Sequence, residues 1–451
     1  MKRKLRFSTT QTIMLAFLLA ILVGSLLLAL PVSAAAGQRV SYLDALFTAT
    51  TSVCVTGLVT VTTASAWSVF GQLVILLLIQ VGGLGIMTVM AGVMMSLNRK
   101  LGLTDRLLIQ DAFNLNTMSG LNQFLKKAIL GTFLVEGAGA LLYMTVFVPE
   151  YGPRGVFISV FNAISAFCNA GLDILGENSL CPYALNPTVN LTTCLLIILG
   201  GIGFFVWWDV LGVMKSFRRH RFKCLRRLTL HSKIALSATG LLLGAGFLLF
   251  FIFEYDNPGT IAGFRLPQKL MAAFFQSVTT RTAGFATVPQ QELSGASSLV
   301  SLLLMLIGGS PTGTAGGIKT VTFAILMASA FATVKGRENP VLFGRTISKH
   351  AVSKAVAVTG VSLMITFTAA LFLEALTAAD FLDVSFEAVS ATATVGLTRN
   401  FTGTLASSGK LVLILTMYLG RVGPISLFIA LNTNKKKSSS VKYPTEQINV
   451  G

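Results

Sequence analysis

The 451-residue chain is 53% hydrophobic and 12% charged, with a mean hydropathy of +0.75 and a formal net charge of +18. Soluble domains carry about 25% charged residues, so an ordinary soluble protein is excluded, together with disordered, collagen-like and disulfide-scaffold classes. Five cysteines without a CxxC pair, and His220, His231 and His350 scattered along the chain, supply no zinc framework, disulfide pattern or metal-ligand cluster.

Lys2, Arg3, Lys4 and Arg6 precede an apolar stretch from Ile13 to Leu30, then Pro31 and the small residues Ser33 to Gly37. With an A-x-A-like site at Ala34 to Ala36 this has the form of a secretory signal peptide. The stretch is also close to the ~20 residues that span a bilayer, and the internal repeat below makes it a retained first helix. Apolar segments near 12–30, 69–97, 124–148, 188–214, 229–253, 297–334, 349–373 and 409–431 predict eight spans. Basic segments at 98–127, 215–233 and 335–354 and both tails fall on one side, which collects 26 Lys/Arg against 4 Asp/Glu; the opposite loops hold 7 against 11. The positive-inside rule places both termini in the cytoplasm. Topology and attraction to anionic membrane lipid account for the charge, so no nucleic-acid partner is expected.

One phrase occurs four times: VTGL at 55–58, NAGL at 169–172, TAGF at 282–285 and TVGL at 394–397. The spacings between Gly57, Gly171, Gly284 and Gly396 are 114, 113 and 112 residues. A phenylalanine, Phe47, Phe161, Phe274 or Phe386, stands ten residues before each, and a glycine lies in each following span at Gly82, Gly200, Gly308 and Gly420. The short segments 42–53, 156–167, 268–279 and 381–391 would be ~18 Å as helices, too short for ~30 Å of hydrocarbon. They read as half-helices entering from the outer face. Non-helical backbone at membrane depth is tolerated only where buried in protein or lining a watery path. Glycine reaches positive φ without penalty, so neighbouring carbonyls can face a common centre at which four half-helix C-termini aim their negative dipole ends. Such rings replace the hydration shell of a monovalent cation. The candidate ion-binding residues are therefore Val55, Thr56, Gly57; Asn169, Ala170, Gly171; Thr282, Ala283, Gly284; and Thr394, Val395, Gly396.

Span, half-helix, glycine phrase and span, four times over, resembles the potassium channel-derived transporter superfamily of Trk, Ktr and Hkt proteins, and within it the Ktr (KtrB-like) membrane subunits. The carriers are VTGL, CNAGL, RTAGF and TVGL, GGSPTGTAGGIKT at 308–320 and GRVGP at 420–424. All four filter glycines are present, as in potassium-selective members; sodium-favouring plant relatives tend to have serine at the first. Cys168-Asn169-Ala170-Gly171 departs from the other phrases, so the fourfold symmetry is expected to be approximate.

The resulting expectation is an all-α membrane protein of four tandem M1–pore-helix–M2 repeats, eight transmembrane spans plus four half-helices, pseudo-fourfold around one pore. Its parts are a cytoplasmic basic tail 1–11, repeat one 12–97, a linker 98–123, repeat two 124–214, a linker 215–228, and repeat three 229–334 with an intramembrane gating loop 308–319. A linker 335–347, repeat four 348–432 and a cytoplasmic tail 433–451 complete it.

As one helix 297–334 would be ~55 Å long, and its centre carries Pro311 and several glycines that break helices. The resemblance implies a gating loop at Ser310, Pro311, Thr312, Gly313, Thr314, Ala315, Gly316, Gly317 and Lys319; a kinked helix braced by neighbours is the alternative. A phosphate-binding loop fails, because Ile318 separates Gly317 from Lys319. Arg421 stands in an apolar span where the other repeats carry a second glycine. It acts either as an electrostatic barrier beneath the filter or as a brace for loop carbonyls. Arg281, three residues before Gly284, is expected to point behind the filter, with Glu387 as a candidate partner. Cys54 and Cys168 read as small core residues, and Glu136, Asp209 and Trp207-Trp208 as packing and interface anchors. Asp44, Asp173, Glu177 and Asp383 flank the outer mouth, where they are solvated or raise the local cation concentration.

Potassium uptake across the bacterial cytoplasmic membrane follows from the resemblance, with sodium as a second cation and no organic cofactor in this chain. A secondary carrier would show two pseudo-symmetric halves, and an intramembrane enzyme would need a motif such as HExxH or GxSxG, neither of which occurs; His231 and His350 stand only at the very starts of their spans. The resemblance also implies a homodimer on a cytosolic ring of nucleotide-binding, KtrA-like subunits.

Overall fold

The computed structural model describes residues 9–86, 88–89, 121–214 and 226–423. The basic tail up to residue 8, most of the linkers at 98–123 and 215–228, and everything after Gly423 lie outside the described residues.

Four helical units follow one another. Unit one comprises α1 (Thr9–Leu28), the half-helix α2 (Tyr42–Cys54), a single turn α3 (Thr63–Ala66) and α4 (Val69–Leu84). Unit two comprises α5 (Leu121–Tyr151), half-helix α6 (Arg154–Cys168), α7 (Pro187–Ile202) and α8 (Phe204–Met214). Unit three comprises α9 (Leu230–Glu254), half-helix α10 (Leu266–Thr279), α11 (Gly295–Leu306) and α12 (Thr320–Val334). Unit four comprises α13 (Lys349–Leu376), half-helix α14 (Phe381–Ala393) and α15 (Ser407–Val422). Between units three and four, β1 (Val341–Leu342) pairs antiparallel with β2 (Arg345–Thr346) across Phe343 and Gly344. Both turn residues have positive φ, 50° and 72°, as a tight primed hairpin turn requires.

Four helices, within α1, α5, α9 and α13, are long and apolar enough to cross a bilayer among the described residues. The second helices differ from the expected unbroken spans. α4, α7 and α15 stop at Gly85, Gly203 and Gly423, with φ of 83°, 96° and 95°, and beyond Gly203 the chain turns by 97° into α8. α11 and α12 are separated by the 307–319 loop. Side-chain caps begin many of these helices: Ser68 Oγ accepts from Gly71 N, Asn186 Oδ1 from Thr188 N and Val189 N, and Ser294 Oγ from Ser297 N.

The packing is cyclic. Each long helix lies along its own half-helix, and each second helix reaches the half-helix of the next unit: α4 meets α6, α7 meets α10, α11 meets α14, and α15 closes the circle on α2. A glycine three residues before each break permits the close contact. A Cβ added to Gly82, Gly200 or Gly420 would stand 2.1, 1.9 or 2.1 Å from the carbonyl oxygen of Val53, Phe167 or Thr392 in the last turn of its own unit's half-helix. Phe47, Phe161 and Phe386 are fully buried at the centre.

Candidate functional site

In units one, two and four the half-helix ends in the same way. Thr56 N, Ala170 N and Val395 N each donate to the carbonyl five residues earlier, on Thr51, Ser165 and Ser390, all at 2.8 Å. Val55, Asn169 and Thr394 between them take left-handed φ of 55°, 58° and 52°. This is a Schellman closure with valine and threonine where glycine is usual, a strained choice for β-branched residues. The following glycines, Gly57, Gly171 and Gly396, also have positive φ, 100°, 65° and 92°. Hydroxyls of the half-helix hold the backbone N–H groups from behind: Thr51 Oγ1 accepts from Gly57 N at 3.0 Å, Ser165 Oγ from Leu172 N at 3.1 Å and Ser390 Oγ from Gly396 N at 3.0 Å.

The four phrases form a closed ring. A Cβ on Gly57 would lie 2.6 Å from Ala170 O, on Gly171 2.6 Å from Ala283 O, on Gly284 2.6 Å from Val395 O, and on Gly396 2.1 Å from Thr56 O. Each unit's glycine abuts the next unit's carbonyl, and the fourth returns to the first. All twelve phrase residues are buried, and their backbone carbonyls accept no hydrogen bond from the described residues. Buried carbonyls are nearly always paired, so a dense ring of unpaired oxygens suits a dehydrated cation. Outside the ring lies a cavity of about 280 Å³, with the four glycines in its lining.

Unit three is shifted by one residue. Its half-helix ends at Thr279, Ala283 N donates to Thr279 O at 3.0 Å, and Thr282 and Gly284 carry the positive φ values, 64° and 84°. Phe275, not Phe274, takes the fully buried place of Phe47, Phe161 and Phe386, which corrects the ten-residue spacing read from the sequence. The shift aligns Thr48, Asn162, Gln276 and Glu387 as a set of buried polar residues behind the phrases. Two of them hold a residue six positions after the phrase glycine: Gln276 and Gln290 exchange amide hydrogen bonds at 2.7 and 3.1 Å, and Thr402 Oγ1 donates to Glu387 Oε1.

The partner of Arg281 is not Glu387. Its Nη2 donates to Gly308 O at 2.7 Å, whereas Glu387 is engaged by Thr402. Arg281 therefore joins the third phrase to the first residue of the 308–319 loop. That loop lies against the inner ends of the half-helices. Thr314 Oγ1 donates to Phe167 O and Asn169 Oδ1, both at 3.1 Å, and a Cβ on Gly316 would stand 2.0 Å from Thr394 Oγ1. Ser310 N and Thr314 N donate to Gly201 O and Gly200 O at 2.8 and 3.1 Å, and Phe204 N to Thr312 O. Gly313 packs on the same Gly200 and Gly201 carbonyls, and Pro311 O faces Gly203. Gly308 N donates to Ile318 O at 2.9 Å, Gly317 turns with φ 64°, and Lys319 Nζ donates back to Ala315 O and Gly316 O. Arg421 completes the enclosure: Nη1 donates to Thr314 O and Nη2 to Gly82 O, each at 2.6 Å. A residue of unit four thus ties the loop of unit three to the second helix of unit one.

The outer carboxylates divide into two kinds. Asp44 pairs with Lys410 and Asp383 with Arg399, both at 2.6 Å. Asp173 and Glu177, both from unit two, line the outer cavity. Burial raises the Asp173 carboxyl above its ordinary value, partly offset by hydrogen bonds from Leu175, Ser179 and Gly176. On the opposite side Asp209 Oδ2 accepts from Thr229 N and Oγ1 at the start of α9, and Trp207 Nε1 donates to Leu199 O. Cys54 and Cys168 are buried.

Sequence reading missed the glycine breaks, the polar set behind the phrases and the carbonyl partners of the arginines. The breaks had a signal in the spacing Gly82 to Gly85, Gly200 to Gly203 and Gly420 to Gly423. The carbonyl partners had none.

A family model for TrkH, a cation transport protein, matches residues 2–443. The chain is 40% identical over 447 residues to the Ktr system potassium uptake protein B of Bacillus subtilis, covering 99% of this chain and 97% of that protein. It is 38% identical to the potassium/sodium uptake protein NtpJ of Enterococcus hirae, covering 100% and 99%. Among solved structures, the potassium transporter TrkH from Vibrio parahaemolyticus superposes with a TM-score of 0.74 at 18% identity, over 96% of this chain and 86% of that one, a likeness of fold. Unit by unit the chain thus belongs to the TrkH family of cation transport proteins, integral membrane transporters and not enzymes.

Proposed function

We propose that the chain takes up potassium across the bacterial cytoplasmic membrane through one pore on the axis of its four units. The observation that carries this reading is the closed ring of four phrases whose twelve buried carbonyls lack hydrogen-bond partners among the described residues. The eight-span reading counts each broken second helix as one crossing, so both termini are cytoplasmic, in line with the basic segments on that side. A potassium ion sheds water at the outer cavity, where Asp173 and Glu177 favour cations, and is held by the carbonyls of Val55–Gly57, Asn169–Gly171, Thr282–Gly284 and Thr394–Gly396. Half-helix C-termini add their negative dipole ends.

Below the filter, Ser310–Lys319 forms the gate. Arg421 acts as both barrier and latch: its charge opposes a cation, and its bonds to Thr314 O and Gly82 O keep the loop in place. Opening requires both bonds to break. Charge-assisted hydrogen bonds are each worth about 1.5–3 kcal/mol, a cost that a homodimer docked on a KtrA-like nucleotide-binding ring would supply. This partner and dimer rest on the likeness to Ktr system proteins. A second reading, permeation by sodium as well, is favoured by the name of the potassium/sodium uptake relative. Flux of K+, Rb+, Na+ and Li+ into liposomes tests the proposal. Preferential K+ and Rb+ movement, relaxed by Gly57→Ser, is expected; cation flux indifferent to that substitution returns a carrier mechanism to the front.

A further inference from the structure

Glu136 sits midway along α5, in the middle of a membrane-length helix, and is 4% exposed. Neither of the two ion pairs among the described residues includes it. Its partners are neutral. Gln80 Nε2 on α4 donates to Oε1 and Oε2, both at 3.2 Å, and the Cys168 thiol at the end of α6 donates to Oε1 at 3.8 Å. One turn away on α5, the buried Thr132 hydroxyl has no partner. A bare carboxylate in such a place is costly, and a protein avoids the cost by leaving the acid protonated.

The placement links this acid to the pathway. Cys168 directly precedes Asn169, the left-handed residue of the second phrase, and α4 presses on it so closely that a Cβ on Gly83 would lie 2.4 Å from its sulfur. α4 also holds both ends: Gln80 binds Glu136, and Gly82 O, two residues on, binds Arg421. The other charged and titratable groups nearby are engaged elsewhere. Lys127 of α5 stands over the Trp208 ring of α8, and Cys194 of α7 lies beside Tyr143, further along α5.

We propose that Glu136 is a proton-binding site of the transport unit, a neutral carboxylic acid whose deprotonation places a negative charge beside Cys168, directly behind the second phrase. Ionisation breaks the O–H bond, leaves its electron pair on the carboxylate and passes the proton to water. The new charge, beside the residue that precedes the carbonyls of Asn169–Gly171, favours a cation at that phrase. Proton release at Glu136 favours cation occupancy of the ring and so uptake. This inference rests on the pore reading above for its effect on flux, and on Glu136 alone for the site itself.

The test uses the full chain in vesicles as wild type, Glu136→Gln and Glu136→Asp, with two readouts. The infrared difference between wild type and Glu136→Gln at neutral pH is expected to contain a carboxylic acid C=O band that disappears at alkaline pH. Wild-type Rb+ uptake is expected to rise about fivefold from neutral to alkaline pH, a modest allosteric coupling. Glu136→Gln flattens this rise, and Glu136→Asp keeps it with a shifted midpoint. Absence of the band at every pH, or an unchanged alkaline rise in Glu136→Gln, overturns the proposal. If no variant moves Rb+ at any pH, the pore reading fails, while the band still decides whether the proton site exists.

Discussion

In units one, two and four the half-helix runs straight into a left-handed residue, lies along its own second helix, and is followed by a helix that breaks at a positive-φ glycine. In unit three the half-helix stops two residues earlier relative to its phrase glycine. Arg281 stands where the others have Cys54, Cys168 and Ala393, and the second helix opens into a loop crossing under the ring. Three units hold the ring by local closure; the third holds it through a side chain bonded to the loop at Gly308 O. The fourfold frame therefore contains one unit in which the glycine phrase and the 308–319 loop are mechanically joined. The sequence suggested that the second phrase, with Asn169, would be the odd one, yet its backbone matches those of units one and four.

The largest effect should come from the feature that all four units share. Gly396→Ala places a Cβ 2.1 Å from Thr56 O at a φ of 92°, so the ring must deform and K+ preference over Na+ should fall at least about tenfold, ~1.4 kcal/mol. Competition flux measures this, and Gly57→Ser should act in the same direction. Next comes the latch. Arg421→Ala removes two 2.6 Å bonds, and efflux assays should show flux rising at least about tenfold, since a single such bond is already worth about 1.5–3 kcal/mol. Shortening the 310–317 loop should act likewise.

Arg281→Gln sharpens the comparison directly. It removes a charge-assisted bond to Gly308 O, a loss of about 1.5–3 kcal/mol, and should change both ion preference and gating in one variant. Cys54→Ala, at the equivalent place in unit one, should change neither beyond about twofold, since only small packing is lost. Equal effects from the two would break the distinction between the units.

The smallest effect is expected at the outer mouth. Asp173→Asn should weaken uptake about twofold at low salt and less at high salt, as screened vestibule charge predicts. Because burial raises the Asp173 carboxyl, the wild-type vestibule should lose this charge at a pH above the usual carboxylate range as the medium is acidified. Uptake against pH in wild type and Asp173→Asn should converge on the acidic side of that transition.

Much of this architecture was readable before any coordinates because it rests on local signals. The four glycines need positive φ, and apolar segments too short to span must re-enter, so the half-helices at 42–54, 154–168, 266–279 and 381–393 lie within two residues of their expected limits. The unit-three register was hidden because Phe274-Phe275 offers two equally apolar anchors, and only packing selects the second. Arg281, Arg421 and Glu136 find partners 27, 107 and 56 residues away, on backbone carbonyls or an amide that leave no pattern in the chain. The loop was visible as a break in a helix, but its seat against Phe167 O and Thr394 depends on the ring having closed.

The central claim is that unpaired carbonyls of the four phrases hold a dehydrated cation. Anomalous diffraction from crystals of the full chain grown in rubidium tests it most directly. The account predicts a rubidium peak on the axis, bounded by the carbonyls of Val55–Gly57, Asn169–Gly171, Thr282–Gly284 and Thr394–Gly396. A ring without rubidium beside a peak held by side-chain carboxylates elsewhere would contradict it.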